Sequence, residues 1–133
     1  MVAEARWLPG TPLGLLIADD DPGFRGTLRT VFEPEGFRTY EAASGEEAIE
    51  IARVEPVHVL LMDWQMPLMS GLEAFRVIKS ILGLVPCVFM TGRPTKEFML
   101  RALAEKAFTV IEKPVSAGVV RLTVRRIVET YYT

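Results

Sequence analysis

The feature that most limits the fold of this chain is a regular alternation between two kinds of segment. Short apolar runs cover residues 15–18, 39–42, 57–62, 85–90 and 108–111. The segments that follow them repeat apolar residues every three or four positions, as one face of a helix does. Strands that alternate with helices predict a parallel sheet covered by helices on both faces. The sequence therefore predicts a doubly wound α/β domain with five parallel strands in the order 2-1-3-4-5 and five helices, the flavodoxin-like arrangement.

Helix-start signals agree with this segmentation. Asp21 precedes Pro22, which places a capping carboxylate before a proline at the first helical position. Ser116 has the position of a cap for the last helix. Serine followed three residues later by glutamate is the capping-box spacing, and it predicts two further helix starts, at Ser44 with Glu47 and at Ser70 with Glu73.

Size and charge exclude several classes of protein. The 133 residues fit a single domain. Fifteen basic against 17 acidic residues give a formal net charge of −2, so the chain lacks the basic excess of a nucleic-acid-binding domain. No apolar stretch reaches the ~18 residues of a membrane span. The simplest interpretation is a cytoplasmic protein that binds neither nucleic acid nor membrane.

The N-terminal residues differ from the rest. Residues 1–14 contain two prolines and two glycines and show no sustained periodicity. We interpret them as a tail, with Trp7 as its candidate anchor, and residues 15–133 as the folded domain.

Polar residues stand where the predicted strands end. In a doubly wound sheet, ligands bind outside the carboxyl ends of the strands. The order 2-1-3-4-5 makes strands 1, 3, 4 and 5 successive neighbours, so their terminal residues converge on one edge. These residues are Asp19, Asp20 and Asp21 after strand 1, Asp63 after strand 3, Thr91 after strand 4, and Lys113 with Pro114 after strand 5.

The residue types at this edge indicate a reaction class. Clustered carboxylates repel one another, which raises their pKa values unless a cation intervenes. Oxygen ligands of this kind favour Mg²⁺ over Zn²⁺ or Cu²⁺. A metal beside a carboxylate, a hydroxyl and an ammonium suits phosphoryl transfer, and a carboxylate can itself be phosphorylated.

Four sequence runs resemble the signature segments of one family. The runs are LLIADDDP, HVLLMDWQMPLMSG, VFMTG and VIEKPV. In this order and spacing they resemble the CheY-like receiver domain of bacterial two-component response regulators, over residues 15–131. The resemblance implies a phosphorylation-dependent switch in a phosphorelay, not a turnover enzyme.

The resemblance implies a role for each matching residue at the acidic end of the site. Asp63 would accept the phosphoryl group from a phosphohistidine on a sensor histidine kinase or phosphotransfer protein. Asp20 would bind Mg²⁺ directly and Asp19 through water, and the main-chain carbonyl of Gln65 would complete the protein's ligands. Mn²⁺ is a possible substitute for Mg²⁺.

Three further roles follow from the resemblance. Lys113 would pair with Asp63 and then with the phosphoryl oxygens. Thr91 would move its hydroxyl onto the phosphoryl group and pull the following loop inward. Pro114 is expected to follow a cis peptide bond.

The chain departs from the family pattern near the switch. Receivers usually have an aromatic residue where this chain has Val110, so the coupling of a ring to the threonine movement is in doubt. Phe108, expected on the same strand face as Val110, is no obvious substitute. By the resemblance, Gln65 and Arg93 occupy positions that tune phosphoryl lifetime in this family, and we hypothesise that Arg93 lies across the phosphoryl group and hinders the hydrolytic water.

Three other functions compete with the phosphorelay switch. A phosphatase of the haloacid-dehalogenase class would need an acid two residues after its nucleophile, where this chain has Gln65. A flavodoxin-like cofactor binder is disfavoured because Asp19, Asp20 and Asp21 would repel a phosphate. A degenerate receiver that serves only as an interaction surface stays open because of Val110.

The surface that binds the downstream partner is expected on one face of the domain. The fourth helix, fifth strand and fifth helix are the expected docking surface for a downstream target or output domain, and for a possible homodimer, by family analogy. A stand-alone receiver and a portion of a longer regulator both stay open.

Two further residues carry expectations about their exposure. His58 is expected to be solvated and Trp64 to be a partly exposed loop residue.

Overall fold

The computed structural model describes residues 8–133, so the prediction for Trp7 lies outside the described residues. Five strands alternate with five helices, and a 3₁₀ turn at Glu33–Glu35 follows the first helix. The strands are β1 Gly14–Ala18, β2 Arg38–Ala42, β3 Val59–Asp63, β4 Cys87–Thr91 and β5 Thr109–Glu112. The helices are α1 Pro22–Phe32, α2 Gly45–Val54, α3 Gly71–Leu82, α4 Lys96–Ala104 and α5 Ala117–Tyr131.

The sheet has the predicted topology. Its strand order is β2-β1-β3-β4-β5, and every neighbouring pair is parallel. All residues of β1, β3 and β4 are buried, as expected for central strands with helices on both faces. The predicted fold class and strand order are confirmed.

Two core layers cover the two faces of the sheet. Because side chains alternate along a strand, Leu16 packs towards α2, α3 and α4, whereas Leu15 and Ile17 pack towards α1 and α5. Phe75 and Ile78 of α3 contribute to the first of these layers. None of the helices formed by residues 8–133 is long and apolar enough to cross a membrane.

The strand boundaries move the site residues into the sheet. The sequence predicts that the third and fourth strands end one residue before Asp63 and Thr91, but these are the last residues of β3 and β4. The fourth strand also begins later than predicted, at Cys87, because Pro86 has no N–H to donate to the ladder. Asp63 and Thr91 are therefore held by strand pairing.

Helix caps follow the sequence signals with one difference. Ser70 and Glu73 form the full capping box. Ser44 accepts from the Glu47 N–H at 3.1 Å, but the Glu47 carboxylate accepts from Ala43 N–H, one residue before the predicted donor. The helix start at residue 45 is as expected, although the box is only half formed.

The expectation that His58 is solvated is wrong. His58 is 3% exposed, and its Nδ1 accepts a hydrogen bond from the Gly14 N–H at 2.8 Å. The Tyr132 hydroxyl donates to the His58 carbonyl at 2.7 Å, and the two rings meet edge to face. These contacts join the end of α5 to the beginnings of β1 and β3.

Phe108 and Val110 do not share a face, which corrects a second expectation. Val110 packs against the layer of α2, α3 and α4, whereas Phe108 packs against the layer of α1 and α5 beside Tyr131. Since β5 begins only at Thr109, the alternation of strand faces does not extend back to Phe108.

Candidate functional site

The carboxyl ends of β1 and β3 bring three carboxylates together. One oxygen from each of Asp19, Asp20 and Asp63 lies within 4.8 Å of the others. Asp19 directly follows β1, and its N–H donates to the Ala42 carbonyl at 3.0 Å. Asp19 and Asp63 are buried, whereas Asp20 is exposed. Strand pairing therefore fixes two of the carboxylates, and the third lies at the rim.

Asp19 is fully engaged by protein donors. Its Oδ1 accepts from the Asp21 N–H at 2.8 Å and its Oδ2 from the Lys113 ammonium at 2.7 Å. The guanidinium of Arg25 also donates to the Asp19 carbonyl at 2.6 Å. Asp19 thus serves as an anchor inside the cluster, and Asp20 and Asp63 are the carboxylates best suited to direct metal contact.

Lys113 places a positive charge beside these carboxylates. Its Nζ lies 2.7 Å from Asp19 Oδ2 and 3.5 Å from Asp63 Oδ2. Its main-chain N–H donates to the Thr91 carbonyl at 2.8 Å, and the Lys113–Pro114 peptide bond is cis. Burial by itself would lower the pKa of Lys113, but the hydrogen bond with Asp19 and the charges of Asp63 and Asp19 raise it overall. Lys113 is therefore held as a cation.

The electrostatics of Asp63 show an excess of negative charge. Burial, followed by the charge of Asp19, raises the pKa of Asp63 above its ordinary value. The charge of Lys113 and a hydrogen bond from the Gln65 N–H at 3.3 Å oppose this rise without cancelling it. A second cation would relieve this repulsion.

A divalent cation fits this donor set. Asp19, Asp20 and Asp63 offer hard carboxylate oxygens, which suit Mg²⁺. Gln65 lies exposed in the loop directly after β3, where its main chain already contacts Asp63. The three carboxylates that could hold a metal are among the residues predicted from the sequence.

Thr91 and Arg93 lie at the end of the neighbouring strand. Thr91 is buried and follows Met90, the residue that pairs with Asp63 across the β3–β4 ladder. The Thr91 hydroxyl accepts from the Arg93 N–H at 3.1 Å. The structure therefore places the predicted switch hydroxyl one strand away from the predicted acceptor.

The loop after β3 connects the site to α4. Trp64 is partly exposed, as predicted, and its ring lies 3.9 Å from that of Phe98 on α4, centroid to centroid. Gly71 closes the other end of the loop, with its N–H donating to the Trp64 carbonyl at 2.9 Å. A Cβ on Gly71 would lie 2.2 Å from the Asp63 carbonyl oxygen, so glycine permits this close approach.

Sequence reasoning missed two residues of α1 that contact the site. Arg25 reaches the Asp19 carbonyl and also Glu41, at 3.1 Å. A cation near a helix N-terminus opposes the helix dipole, and this was a usable signal that Arg25 has a specific partner. Phe24 has its ring 4.6 Å from the Lys113 ammonium, and no local pattern points to that contact.

Fold and site together define a class of protein. A doubly wound parallel sheet has an acidic pair, a buried aspartate, a threonine and a lysine at the ends of four adjacent strands, which is the arrangement of an α/β phosphorelay receiver. Residues 15–125 match the family model described as the response regulator receiver domain. The chain belongs to that family.

Curated relatives agree with this membership. The chain is 30% identical over 112 residues to sporulation initiation phosphotransferase F of Bacillus subtilis (strain 168), covering 84% of this chain and 90% of that protein. It is 34% identical over 113 residues to regulatory protein AtoC of Escherichia coli (strain K12), covering 84% of this chain but 24% of that protein. The chain thus spans nearly all of one relative and about a quarter of the other.

Solved structures share the fold. A receiver domain protein (CheY-like) from Methanospirillum hungatei JF-1 superposes with a TM-score of 0.87 at 22% identity, over 91% of this chain and 97% of that one. A CheX–CheY–BeF3–Mg²⁺ complex from Borrelia burgdorferi matches with a TM-score of 0.81 at 26% identity, over 89% and 90%. The chain is therefore a receiver of two-component phosphorelay signalling, a class that interacts with histidine kinases or phosphotransfer proteins and with output domains.

Proposed function

We propose that Asp63 accepts a phosphoryl group from a phosphohistidine on a sensor histidine kinase or phosphotransfer protein. The observation that supports this most strongly is the placement of Asp63, buried at the end of β3 with Asp19 and Asp20 on one side and the Lys113 ammonium at 3.5 Å. A buried carboxylate whose charge is incompletely compensated is stabilised by a cation, and the same cation would neutralise the negative charge of a transferred phosphoryl group.

The reaction forms one bond and breaks one. An oxygen of the Asp63 carboxylate attacks the phosphorus, the new P–O bond gives an acyl phosphate, and the P–N bond to the donor imidazole breaks with its electron pair on nitrogen. Lys113, which lies 2.7 Å from Asp19 before the reaction, then moves to the phosphoryl oxygens and neutralises their charge.

Mg²⁺ is the proposed cofactor, with Mn²⁺ as a substitute. Asp20 and Asp63 would hold it directly, Asp19 through water, and Gln65 through its main-chain carbonyl. When bound, the metal supplies charge neutralisation at the transferred group. The related Borrelia structure was solved as a complex with BeF3 and Mg²⁺, which supports this assignment.

Thr91 is the proposed switch residue. Its hydroxyl now accepts a hydrogen bond from the Arg93 N–H. Movement of the hydroxyl towards a phosphoryl oxygen would lengthen or break that hydrogen bond. The loop after β4 would then shift towards Asp63, and α4 begins only a few residues later, at Lys96. Val110, in place of the usual aromatic residue, lets the threonine move without a ring rotation.

The face formed by α4, β5 and α5 is the proposed surface for a downstream protein, an output domain or a second copy of the chain. It exposes large apolar side chains: Met99, Leu100 and Leu103 on α4, and Val119 and Leu122 on α5. Exposed apolar groups of this size are typical of interaction surfaces.

The domain acts as a switch that is phosphorylated once per signal, not as a turnover enzyme. We place it in the cytoplasm with its phosphodonor.

Acetyl phosphate with Mg²⁺ tests the central proposal. We expect the intact mass of the protein to increase by one phosphoryl group, and we expect Asp63→Asn, or omission of Mg²⁺, to abolish the increase. Asp21→Asn is the matched control, since Asp21 is exposed and caps α1, and asparagine caps a helix equally well. Trp64 fluorescence reports metal binding in the same samples.

The possible outcomes separate the alternatives. An adduct confined to proteins that retain Asp63 supports the phosphoacceptor, whereas an adduct on Asp63→Asn would refute it. Absence of both an adduct and metal binding would instead favour the degenerate receiver. Continuous release of phosphate from many equivalents of acetyl phosphate, at a rate far above the decay of the adduct, would indicate a turnover enzyme.

A further inference from the structure

Lys113 has a third contact besides its two carboxylates. Its ammonium lies 4.6 Å from the centroid of the Phe24 ring, while Asp19 Oδ2 lies at 2.7 Å and Asp63 Oδ2 at 3.5 Å. Phe24 is partly buried in the first turn of α1 and packs against the layer of α1 and α5. The ring thus joins the α1 side of the core to the charged edge of the sheet.

The ring differs from the carboxylates in how it holds the ammonium. A hydrogen bond to Asp19 is directional and favours one position of Nζ. An aromatic face attracts a cation through its quadrupole, over a range of positions and without a proton acceptor. The ammonium can therefore shift from Asp19 towards Asp63 without losing its attraction to the ring.

We propose that Phe24 is a positioning residue that holds the Lys113 ammonium between Asp19 and Asp63. Its consequence for the reaction rests on the proposed phosphorylation of Asp63, since Lys113 must move from its close contact with Asp19 to the oxygens of an incoming phosphoryl group. The placement of Lys113 itself does not depend on that reaction.

The first experiment detects the lysine directly in the unphosphorylated protein. A ring face near Nζ shifts the proton resonances of the Lys113 ammonium and ε-methylene upfield. Phe24→Leu keeps an apolar side chain but removes the ring, so these resonances move to ordinary lysine positions. Phe24→Tyr keeps the ring and the shift. Phe37→Leu, which removes another partly buried aromatic ring from the same layer, leaves the Lys113 resonances unchanged.

The second experiment measures the rate constant of phosphorylation by acetyl phosphate with Mg²⁺. We expect Phe24→Leu to slow it by roughly threefold to tenfold, because without the ring the ammonium rests on Asp19 and must give up more of that pairing to reach the phosphoryl oxygens. Phe24→Tyr should restore the rate to within about twofold. Circular dichroism and the thermal midpoint confirm that each variant is folded.

The two experiments together decide the proposal. Unchanged Lys113 resonances in Phe24→Leu would overturn it, as would an equal loss of rate in Phe24→Leu and Phe37→Leu. If the parent protein takes up no phosphoryl group, the proposed function fails, and the Lys113 resonances alone then decide whether Phe24 positions the ammonium. The proposal is supported if the upfield shift of the Lys113 resonances is lost in Phe24→Leu and both the shift and the rate are kept in Phe24→Tyr.

Discussion

At the scale of single residues, the site is a set of charges that do not balance. The carboxylates of Asp19, Asp20 and Asp63 converge, and Lys113 compensates them only in part. Asp19 is also tied by its main chain and by both carboxylate oxygens, so it cannot move away. Burial and, after it, the charge of Asp19 therefore raise the pKa of Asp63.

This imbalance predicts how stability depends on pH. Because the folded state raises the pKa of Asp63, it holds that proton more tightly than the unfolded chain does. The corresponding stabilisation is fully present below the ordinary value of 3.8 and is lost as the pH rises through the folded pKa. In metal-free buffer at neutral pH, Asp63→Asn should therefore raise the free energy of unfolding by about 1 kcal/mol.

Urea denaturation at neutral pH and below the ordinary pKa checks this prediction. The gain should vanish at the acidic pH, where Asp63 is already protonated in the parent protein. Gly26→Ala, which removes no titratable group, should change the stability equally at both pH values. A loss of stability in Asp63→Asn at neutral pH would show that the pairing of Asp63 with Lys113 outweighs the repulsion.

Arg93 gives a second prediction at this scale. It is exposed, and its main chain is fixed to the Thr91 hydroxyl. If its side chain lies across the phosphoryl group and hinders water, Arg93→Ala should speed loss of the phosphoryl group by roughly threefold to tenfold. Decay of the phosphorylated mass after removal of acetyl phosphate measures this rate. Lys96→Ala, at another exposed cation in the same region, is the control, and equal decay in all three proteins would refute the idea.

At the scale of elements, the ends of β1, β3, β4 and β5 provide the functional groups of the site, and the connections that follow these strands help to hold them. In the connection from β3 to α3, Gly71 passes close to the Asp63 carbonyl. The capping box of Ser70 and Glu73 then starts α3 immediately. Asp63 is thus held by the ladder on one side and by the start of a helix on the other.

A glycine pair tests this connection. Gly71→Ala would force its Cβ against the backbone oxygen of Asp63, so we expect a loss of about 2–3 kcal/mol in unfolding free energy and weaker Mg²⁺ binding. Gly26→Ala, in α1, meets open space and should gain about 0.5–1 kcal/mol. Urea denaturation and metal titration measure both effects. Unchanged Mg²⁺ binding in a folded Gly71→Ala protein would show that Asp63 tolerates the displacement.

The elements also show what a sequence can predict. Buried strands end where apolar residues give way to polar ones, so the positions of Asp63, Thr91 and Lys113 could be predicted at the correct edge of the sheet. The half-formed capping box at Glu47 could not be predicted. The spacing of Ser44 and Glu47 does not decide which of two neighbouring N–H groups donates to the Glu47 carboxylate.

Contacts between distant positions were the main omission. His58 binds groups 44 and 74 residues away, so no local pattern reveals its burial. The ring of Phe24 on Lys113 is a contact of the same kind, between the start of α1 and the end of β5. Such contacts depend on how the helices pack against the sheet. Periodicity predicts which face of a helix is buried, but not which residues that face contacts.

At the scale of the whole molecule, the two edges of the sheet formed by opposite ends of the parallel strands differ in their contacts. The carboxyl ends of the strands hold the charged site, and the amino ends hold the contacts among Gly14, His58 and Tyr132. The first edge contains groups that repel one another, whereas these contacts at the second edge are paired hydrogen bonds. The stability of the fold can therefore be altered at the second edge without touching the first.

Removal of the Tyr132 hydroxyl tests this separation. Tyr132→Phe loses the hydrogen bond to the His58 carbonyl, so we expect the free energy of unfolding to fall by about 1 kcal/mol. Tyr131→Phe, the same change at the partly exposed neighbour, should cost less. Mg²⁺ affinity, followed by Trp64 fluorescence, should be the same in both variants and in the parent, because Asp19, Asp20 and Asp63 lie at the other edge. A Tyr132→Phe protein that is folded but binds Mg²⁺ more weakly would show that the two edges are coupled through the central strands.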